Sequence, residues 1–112
     1  MVENDKPVLI YSTFPTKEAA EEIGQALVEE ELAACVNILP GMTAIYRWEG
    51  KIARDSEVLM IIKTARSRAE AAMIAIKQRH SYDNPALVVL PIETGSAKYL
   101  SWLLEQAGGN NE

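Results

Sequence analysis

The sequence predicts an α+β fold in which two helices pack on one sheet. Strand-like apolar segments and amphipathic helical segments alternate in the order β-α-β-β-α-β, and a further helix follows. The chain has 112 residues, of which 48% are hydrophobic and 24% charged, as in an ordinary globular domain. This order of elements is that of the ferredoxin-like split arrangement. We therefore expect a single domain over residues 1–112, with an ordered core over residues 8–107 and frayed ends.

A change of hydrophobic pattern predicts the first strand and the first helix. Residues 8–14 are β-branched and apolar and lie between two prolines, which is typical of a buried strand. After Pro15, Thr16 can cap a helix, and Glu18 is well placed for the helix dipole. The apolar residues that follow recur at helical spacing: Ala19, Ala20, Ile23, Ala26 and Leu27.

Two long strand-like stretches, residues 34–47 and 54–64, form a predicted central hairpin. The connector at 48–51 carries the glycine that a tight turn requires. Pro40 interrupts the first stretch and implies a bend, a bulge or an edge. The continuous apolar run at 58–62 predicts a central strand that is covered on both faces.

A second helix, a last strand and a third helix complete the predicted fold. Ser67 and Glu70 form a capping-box signature at the start of the second helix. The apolar run at 87–92 predicts the last strand. Ser96 can cap the third helix, and the glycines at 108–109 end it.

The net charge argues against a nucleic-acid partner, and the lengths of the apolar runs argue against a membrane. With 11 Lys and Arg against 16 Asp and Glu, the chain carries a net charge of −5, whereas nucleic-acid recognition usually needs a basic surface. No apolar run is long enough to span a membrane, so we expect no membrane partner. The acidic start lacks the basic region of a signal peptide, which predicts a cytoplasmic location.

The single cysteine, Cys35, excludes an internal disulfide and a CxxC motif. It lies in an apolar run and offers no neighbouring base, so we interpret it as a small buried hydrophobic residue.

The length of the hairpin predicts an oligomer. Residues 34–47 would reach about 45 Å at ~3.3 Å per residue, whereas a globule of this size has a diameter of roughly 35 Å. The hairpin should therefore project beyond its own domain. Its tip carries Tyr46 and Trp48, aromatic residues of the kind enriched in interfaces, and exposed strand edges need partners. We expect a homo-oligomer with Tyr46 and Trp48 in its interface.

Several separated segments resemble the CutA divalent-ion tolerance family. They are ACVNILPGMTAIYRWEG at 34–50, EVLMIIKT at 57–64, HSYDNP at 80–85, VLPI at 89–92 and YLSWL at 99–103. The resemblance covers residues 8–105. It implies a ferredoxin-like subunit that assembles as a homotrimer by strand pairing between chains, similar in architecture to the PII signalling proteins. It also implies a role in tolerance of copper and other divalent metals, without established catalysis.

The resemblance implies one metal ligand, His80. Where family members have proposed copper ligands, a cysteine after the first strand core and a neighbouring histidine, this chain has Ser12 and Arg79. His80 thus remains as the candidate ligand for copper(II) or another divalent metal, since copper(II) favours imidazole. A trimer could add a carboxylate such as Glu57 or Asp83. Alternatively, His80 caps the end of the second helix.

A second candidate site is a cleft between subunits. Glu57 and Lys63 lie six residues apart on one strand, so alternation places them on the same face. With Tyr82 and Trp48 they could line a cleft that binds a small anion or metabolite. Alternatively, Glu57 and Lys63 form a structural ion pair.

The function classes follow from these sites. The sequence contains no nucleophile elbow, P-loop, dinucleotide-binding turn or HExxH motif, and only His80 with Asp83 or Tyr82 suggests acid–base chemistry. We predict no enzyme, but a trimeric protein of divalent metal (copper) tolerance. The alternative is a PII-like signalling trimer that binds a small metabolite at inter-subunit clefts.

Overall fold

A computed structural model describes residues 5–108, and the predictions about the chain ends outside this range lie beyond it. The elements follow the predicted order: β1 (Pro7–Phe14), α1 (Lys17–Glu29), β2 (Cys35–Trp48), β3 (Lys51–Ala65), α2 (Arg66–Arg79), β4 (Val88–Pro91) and α3 (Ala97–Gln106). The sheet order is β2-β3-β1-β4, and all neighbouring strands are antiparallel. An α+β fold with three helices and a four-stranded antiparallel sheet is confirmed. Of the helices in residues 5–108, none has the length and hydropathy that a bilayer crossing requires.

The two crossover helices, α1 and α2, cover one face of the sheet, and on the other face α3 contacts Lys63 through Tyr99. On β3, Val58, Met60 and Ile62 are buried, and they belong to the same apolar cluster as Leu27 of α1 and Ile76 of α2. The residues between them on β3 are only half-buried. The prediction that residues 58–62 are covered on both faces is therefore wrong for the single chain. The strand is central, but both α1 and α2 pack on the same side of it.

Local caps begin α1 and α3 as predicted. Thr16 Oγ1 accepts a hydrogen bond of 3.1 Å from the Ala19 N–H, at the start of α1. Ser96 Oγ accepts one of 3.3 Å from the Tyr99 N–H, at the start of α3. Both caps satisfy backbone donors that a helix start leaves free.

The predicted capping box of α2 is wrong. The helix begins one residue earlier, at Arg66, and Ala65 precedes it without a side-chain cap. Ser67 lies inside the first turn, where its N–H and hydroxyl donate to the Asp5 carboxylate at 3.2 and 2.5 Å. The acceptor for this helix start therefore comes from the segment before β1, and the carboxylate also suits the helix dipole.

The central hairpin projects as predicted. The molecule measures 48 × 26 × 21 Å, and its long strands have 14 and 15 residues. They are joined by Glu49 and Gly50, whose φ angles of 50° and 80° give the two-residue turn that matches strand twist. The predicted connector at 48–51 is thus shorter, since its outer residues pair within the strands.

A β-bulge interrupts β2 near the domain. Leu39 pairs with Leu59, but the next pair is Met42 with Glu57, so β2 contains one extra residue there. Gly41 has a φ of 87°, which favours glycine. The interruption predicted at Pro40 is therefore a bulge.

The C-terminal helix is fixed by a side chain of α2. The Arg68 guanidinium donates to the carbonyl oxygens of Ala107 and Gly108, both at 3.2 Å. These carbonyls lie at the end of α3, where a cation is favoured by the helix dipole. Leu103 of α3 is buried as well.

Candidate functional cleft

The side of the sheet opposite α1 and α2, here called the open face, carries the predicted cleft residues. Cross-strand pairing places its apolar members together: Leu9, Tyr11, Leu39, Leu59, Ile61, Val88 and Leu90. All of them are at least partly accessible in the single chain. Glu57 and Lys63 lie on this face too, as alternation predicts.

A cleft of about 520 Å³ opens between the hairpin and the loop that follows α2. Of the predicted residues it brings together Glu57, Tyr82, Tyr46 and Trp48. Its full lining is Thr13, Tyr46, Trp48, Asp55, Glu57, Tyr82, Asp83, Asn84 and Ala86. These residues include several carboxylates and no basic side chain, so the cleft is electronegative.

Two tyrosines donate hydrogen bonds to two of the cleft carboxylates. The Tyr82 hydroxyl donates to Glu57 Oε2 at 2.9 Å, and the Tyr46 hydroxyl donates to Asp55 Oδ2. Burial, together with the Glu57 hydrogen bond, raises the pKa of Tyr82 to about 12. The hydrogen bond to Asp55 also raises the pKa of Tyr46. Both phenols therefore keep their protons at neutral pH and donate them to carboxylates.

Lys63 lies outside the cleft. Its Nζ donates to the Tyr99 hydroxyl at 3.0 Å, and this hydrogen bond raises the pKa of Lys63. Six residues of strand separate Lys63 from Glu57 by about 20 Å. The alternative of a Glu57–Lys63 ion pair is therefore wrong, because the two side chains lie on the same face but too far apart to interact.

His80 is fixed by backbone groups. Its Nδ1 accepts a hydrogen bond of 3.1 Å from the Tyr82 N–H, which assigns the ring proton to Nε2. Nε2 lies 2.7 Å from the Thr13 carbonyl oxygen and donates to it. The ring also stacks on Phe14, with centroids 4.6 Å apart. His80 is the C-cap residue of α2, in agreement with the alternative prediction, and its ring links the start of the following loop to β1 and positions Tyr82.

Residues 5–108 of a single chain do not form a metal centre. Both nitrogens of His80 are engaged, and Arg79 forms an ion pair with Glu30 at 2.8 Å. Ser12 is fully buried beneath the helices. Within residues 5–108, no group of three or more His, Cys, Asp and Glu side chains is placed to hold a metal ion. Metal binding through His80 stays a prediction, and it would require His80 to give up a hydrogen bond.

The structure also corrects the predicted burial of Cys35 and adds Asp55 to the residues of the cleft. Cys35 is the first residue of β2 and is half-buried, not buried, because its strand position opposite Lys63 faces the open side. Asp55 is a cleft residue that the sequence analysis missed. Alternation from Glu57 could have placed it on the same face.

A protein-family model described as "CutA1 divalent ion tolerance protein" matches residues 8–106. The chain belongs to this family. Protein CutA, chloroplastic, of Arabidopsis thaliana is 47% identical over 96 residues, which cover 86% of this chain and 53% of the relative. The divalent-cation tolerance protein CutA of Thermus thermophilus is 45% identical over 100 residues, covering 89% and 97%.

The fold is shared with solved CutA structures. The CutA of Archaeoglobus fulgidus, described as a periplasmic divalent cation tolerance protein, superposes with a TM-score of 0.87 at 40% identity. That match covers 90% of this chain and 98% of the other. The chain spans about half the length of the plant CutA proteins that it matches, and nearly all of the Thermus and Archaeoglobus ones.

Proposed function

We propose that this chain is a non-enzymatic, homotrimeric protein of divalent-cation tolerance. Membership in the CutA1 family over residues 8–106 is the observation that carries the tolerance role. The described residues support the absence of catalysis, because the single histidine has both ring nitrogens bound to backbone groups. The proposed location is the cytoplasm, although named relatives include chloroplastic and periplasmic proteins.

The exposed hairpin supports the proposed assembly. Trp48 is 63% exposed and Ile52 65% exposed, and both lie at the tip. Together with the partly accessible apolar side chains of the open face, they give this chain apolar surface that a partner could cover. We propose ferredoxin-like subunits whose hairpins pair with the sheets of their neighbours in a PII-like trimer. Such pairing would occupy the edges that β2 and β4 leave open.

Light scattering of Trp48→Asp tests this assembly. We expect the wild-type chain to have the mass of a trimer and the variant to lose it, because a carboxylate cannot be buried unpaired at the interface. Ile74→Asp is the control, since Ile74 is also exposed, at 51%, but lies on α2, away from the hairpin. If Trp48→Asp keeps the mass of a trimer, the tip does not lie in the interface.

Copper is the proposed metal, and a calorimetric titration tests it. Metal-free protein is titrated with copper(II) beside His80→Ala and beside Phe14→Leu, which loosens the ring stacking but leaves the imidazole. Direct binding predicts a sub-micromolar isotherm that only His80→Ala abolishes. We expect Cys35→Ala to bind as the wild type does. A weak isotherm, or one that His80→Ala leaves unchanged, would exclude His80 as the ligand.

A PII-like metabolite sensor is the second candidate. The cleft of about 520 Å³ supports it, because small-molecule sites usually occupy about 300–1,000 Å³. Glu57 and Tyr82 would orient the ligand there, whereas Lys63 lies too far away to take part. Native mass spectrometry with a defined set of small metabolites should then show a bound species that Glu57→Gln weakens. No bound species across that set would remove this candidate.

A further inference from the structure

The hairpin tip has two chemically different faces. On one side, Tyr46 and Trp48 lie on the face of Asp55 and Glu57 and line the cleft. The opposite side, here called the basic face, consists of two cross-strand pairs: Ile45 with Arg54, and Arg47 with Ile52. In an antiparallel pair, directly opposed residues point to the same side of the ribbon.

The basic face is unsatisfied within one chain. Arg47 and Arg54 are exposed, and among residues 5–108 neither forms a salt bridge or a side-chain hydrogen bond. The isoleucines beside them, Ile45 and Ile52, are 57% and 65% exposed. Isolated arginines are ordinary on a surface, but two of them interleaved with exposed isoleucines are typical of an interface.

The cleft has carboxylates but no cation among its lining residues, which complements the basic face. Of its three carboxylates, Asp55 and Glu57 receive hydrogen bonds from tyrosines, and none of the three, Asp83 included, meets a cation in the lining. Tyr46 and Trp48 present aromatic rings beside them. A guanidinium matches both features, because it binds carboxylates with paired donors and stacks on aromatic rings.

The two faces cannot satisfy each other within one molecule, since they point away from each other on the same ribbon. We propose that the basic face of one hairpin docks into the cleft of a second copy, with its Arg47 and Arg54 against the cleft carboxylates. The contact is heterologous, because each copy offers one surface and receives another, and such a contact closes into a ring of three when successive copies are related by a threefold rotation. This inference rests on the proposed homotrimer and adds which surfaces meet. It also assigns the cleft to a neighbour instead of a metabolite.

Charge reversal tests the docking by light scattering over a range of concentrations. Because the arginines are exposed, Arg47→Glu/Arg54→Glu should fold normally, which circular dichroism checks. We expect its trimer dissociation constant to rise by about a hundredfold or more. The control, Lys77→Glu/Lys98→Glu, changes the net charge equally on exposed helical positions and should stay trimeric.

A restoration experiment identifies the cleft as the receptor. A chain with Arg47→Glu, Arg54→Glu, Asp55→Arg and Glu57→Arg again has complementary faces and should regain the trimer. In a Trp102→Phe background, acrylamide quenching reports on Trp48 alone, and the restored trimer should protect it.

The outcomes separate the docking from the trimer itself. A monomeric wild type would overturn both. A trimeric wild type whose arginine variant stays equally trimeric would overturn only the docking. Loss of the trimer in the arginine variant without recovery in the fourfold variant would show that the arginines bind elsewhere, and would overturn the assignment of the cleft.

Discussion

The two halves of β3 differ sharply in what surrounds them. From Val58 to Ile62, every second side chain lies in the core beneath α1 and α2. From Lys51 to Glu57, the strand keeps its pairing with β2 but has no buried side chain. Isolated two-stranded ribbons are only marginally stable in water. The inner half therefore determines the fold of the chain, and the outer half presents the surfaces that a neighbour would cover in the proposed trimer.

Alanine substitutions in the two halves test this contrast most strongly. We expect Ile62→Ala to lower the free energy of unfolding by about 2–5 kcal/mol, because it leaves a cavity in the core. Ile52→Ala should change it by less than about 0.5 kcal/mol. Both are measured by urea unfolding in the Trp48→Asp background, where dissociation does not contribute. Similar losses at the two sites would contradict the division of β3.

Gly24→Ala probes how closely α1 packs on the inner half of β2. A methyl group at Gly24 would meet Val36 Cγ2 at 2.9 Å, which overpacks the contact. That cost of about 1–3 kcal/mol exceeds the gain of about 1 kcal/mol in helix propensity. We expect a net loss of about 1 kcal/mol in thermal unfolding. The exposed control Glu22→Ala should leave the stability unchanged. If Gly24→Ala were stabilised instead, the Val36 side chain would have moved to make room for the methyl group.

Removing either of two buried hydroxyls on the side of the sheet that faces α1 and α2 should change the free energy of unfolding, but in opposite directions. Thr64 Oγ1 donates to the Leu32 carbonyl at 2.7 Å, whereas Ser12 Oγ has no hydrogen-bond partner in the described chain. Thr64→Val should therefore cost about 1–2 kcal/mol, and Ser12→Ala should stabilise by about 1 kcal/mol. Chemical denaturation of both variants measures the pair. A destabilised Ser12→Ala would mean that this hydroxyl does have a partner.

The smallest effect concerns the outer half at alkaline pH. The pKa of Tyr82 is about 12 in the folded chain, above the ordinary value of 10.0. The folded state thus binds this proton more tightly, and its stabilising effect is complete below about pH 10. It is lost as the pH rises through about 12. Stability followed by denaturation should fall less steeply over this window in Tyr82→Phe than in the wild type. Equal slopes would contradict the raised pKa.

The features that were predicted correctly depend on neighbours in sequence. Thr16 and Ser96 cap helices through groups three residues away, and alternation placed Glu57 and Lys63 on one face. The errors concern distant contacts. The start of α2 uses Asp5, which is 62 residues away from Ser67. No local pattern reveals such a partner.

The cleft was predicted only in part for the same reason. Tyr82 and Glu57 were placed together, but the hydrogen bonds of His80 to Thr13 and to the Tyr82 N–H depend on how the loop crosses the end of β1. Lys63 was included because alternation fixes a face and not a distance. Apolar composition also could not show that both helices lie on one side of the sheet.

The bulge between Leu39 and Met42 settles the chemistry of the hairpin. Before it, odd-numbered residues of β2 lie on the open face, and after it even-numbered residues do. In a regular strand the odd series would continue, since a shift of one residue exchanges the two sides. Arg47 would then share a side with Asp55 of its own chain, and the charges could neutralise each other internally. One inserted residue thus places Arg47 on the side of the hairpin opposite Asp55, and the proposed docking between copies depends on this separation.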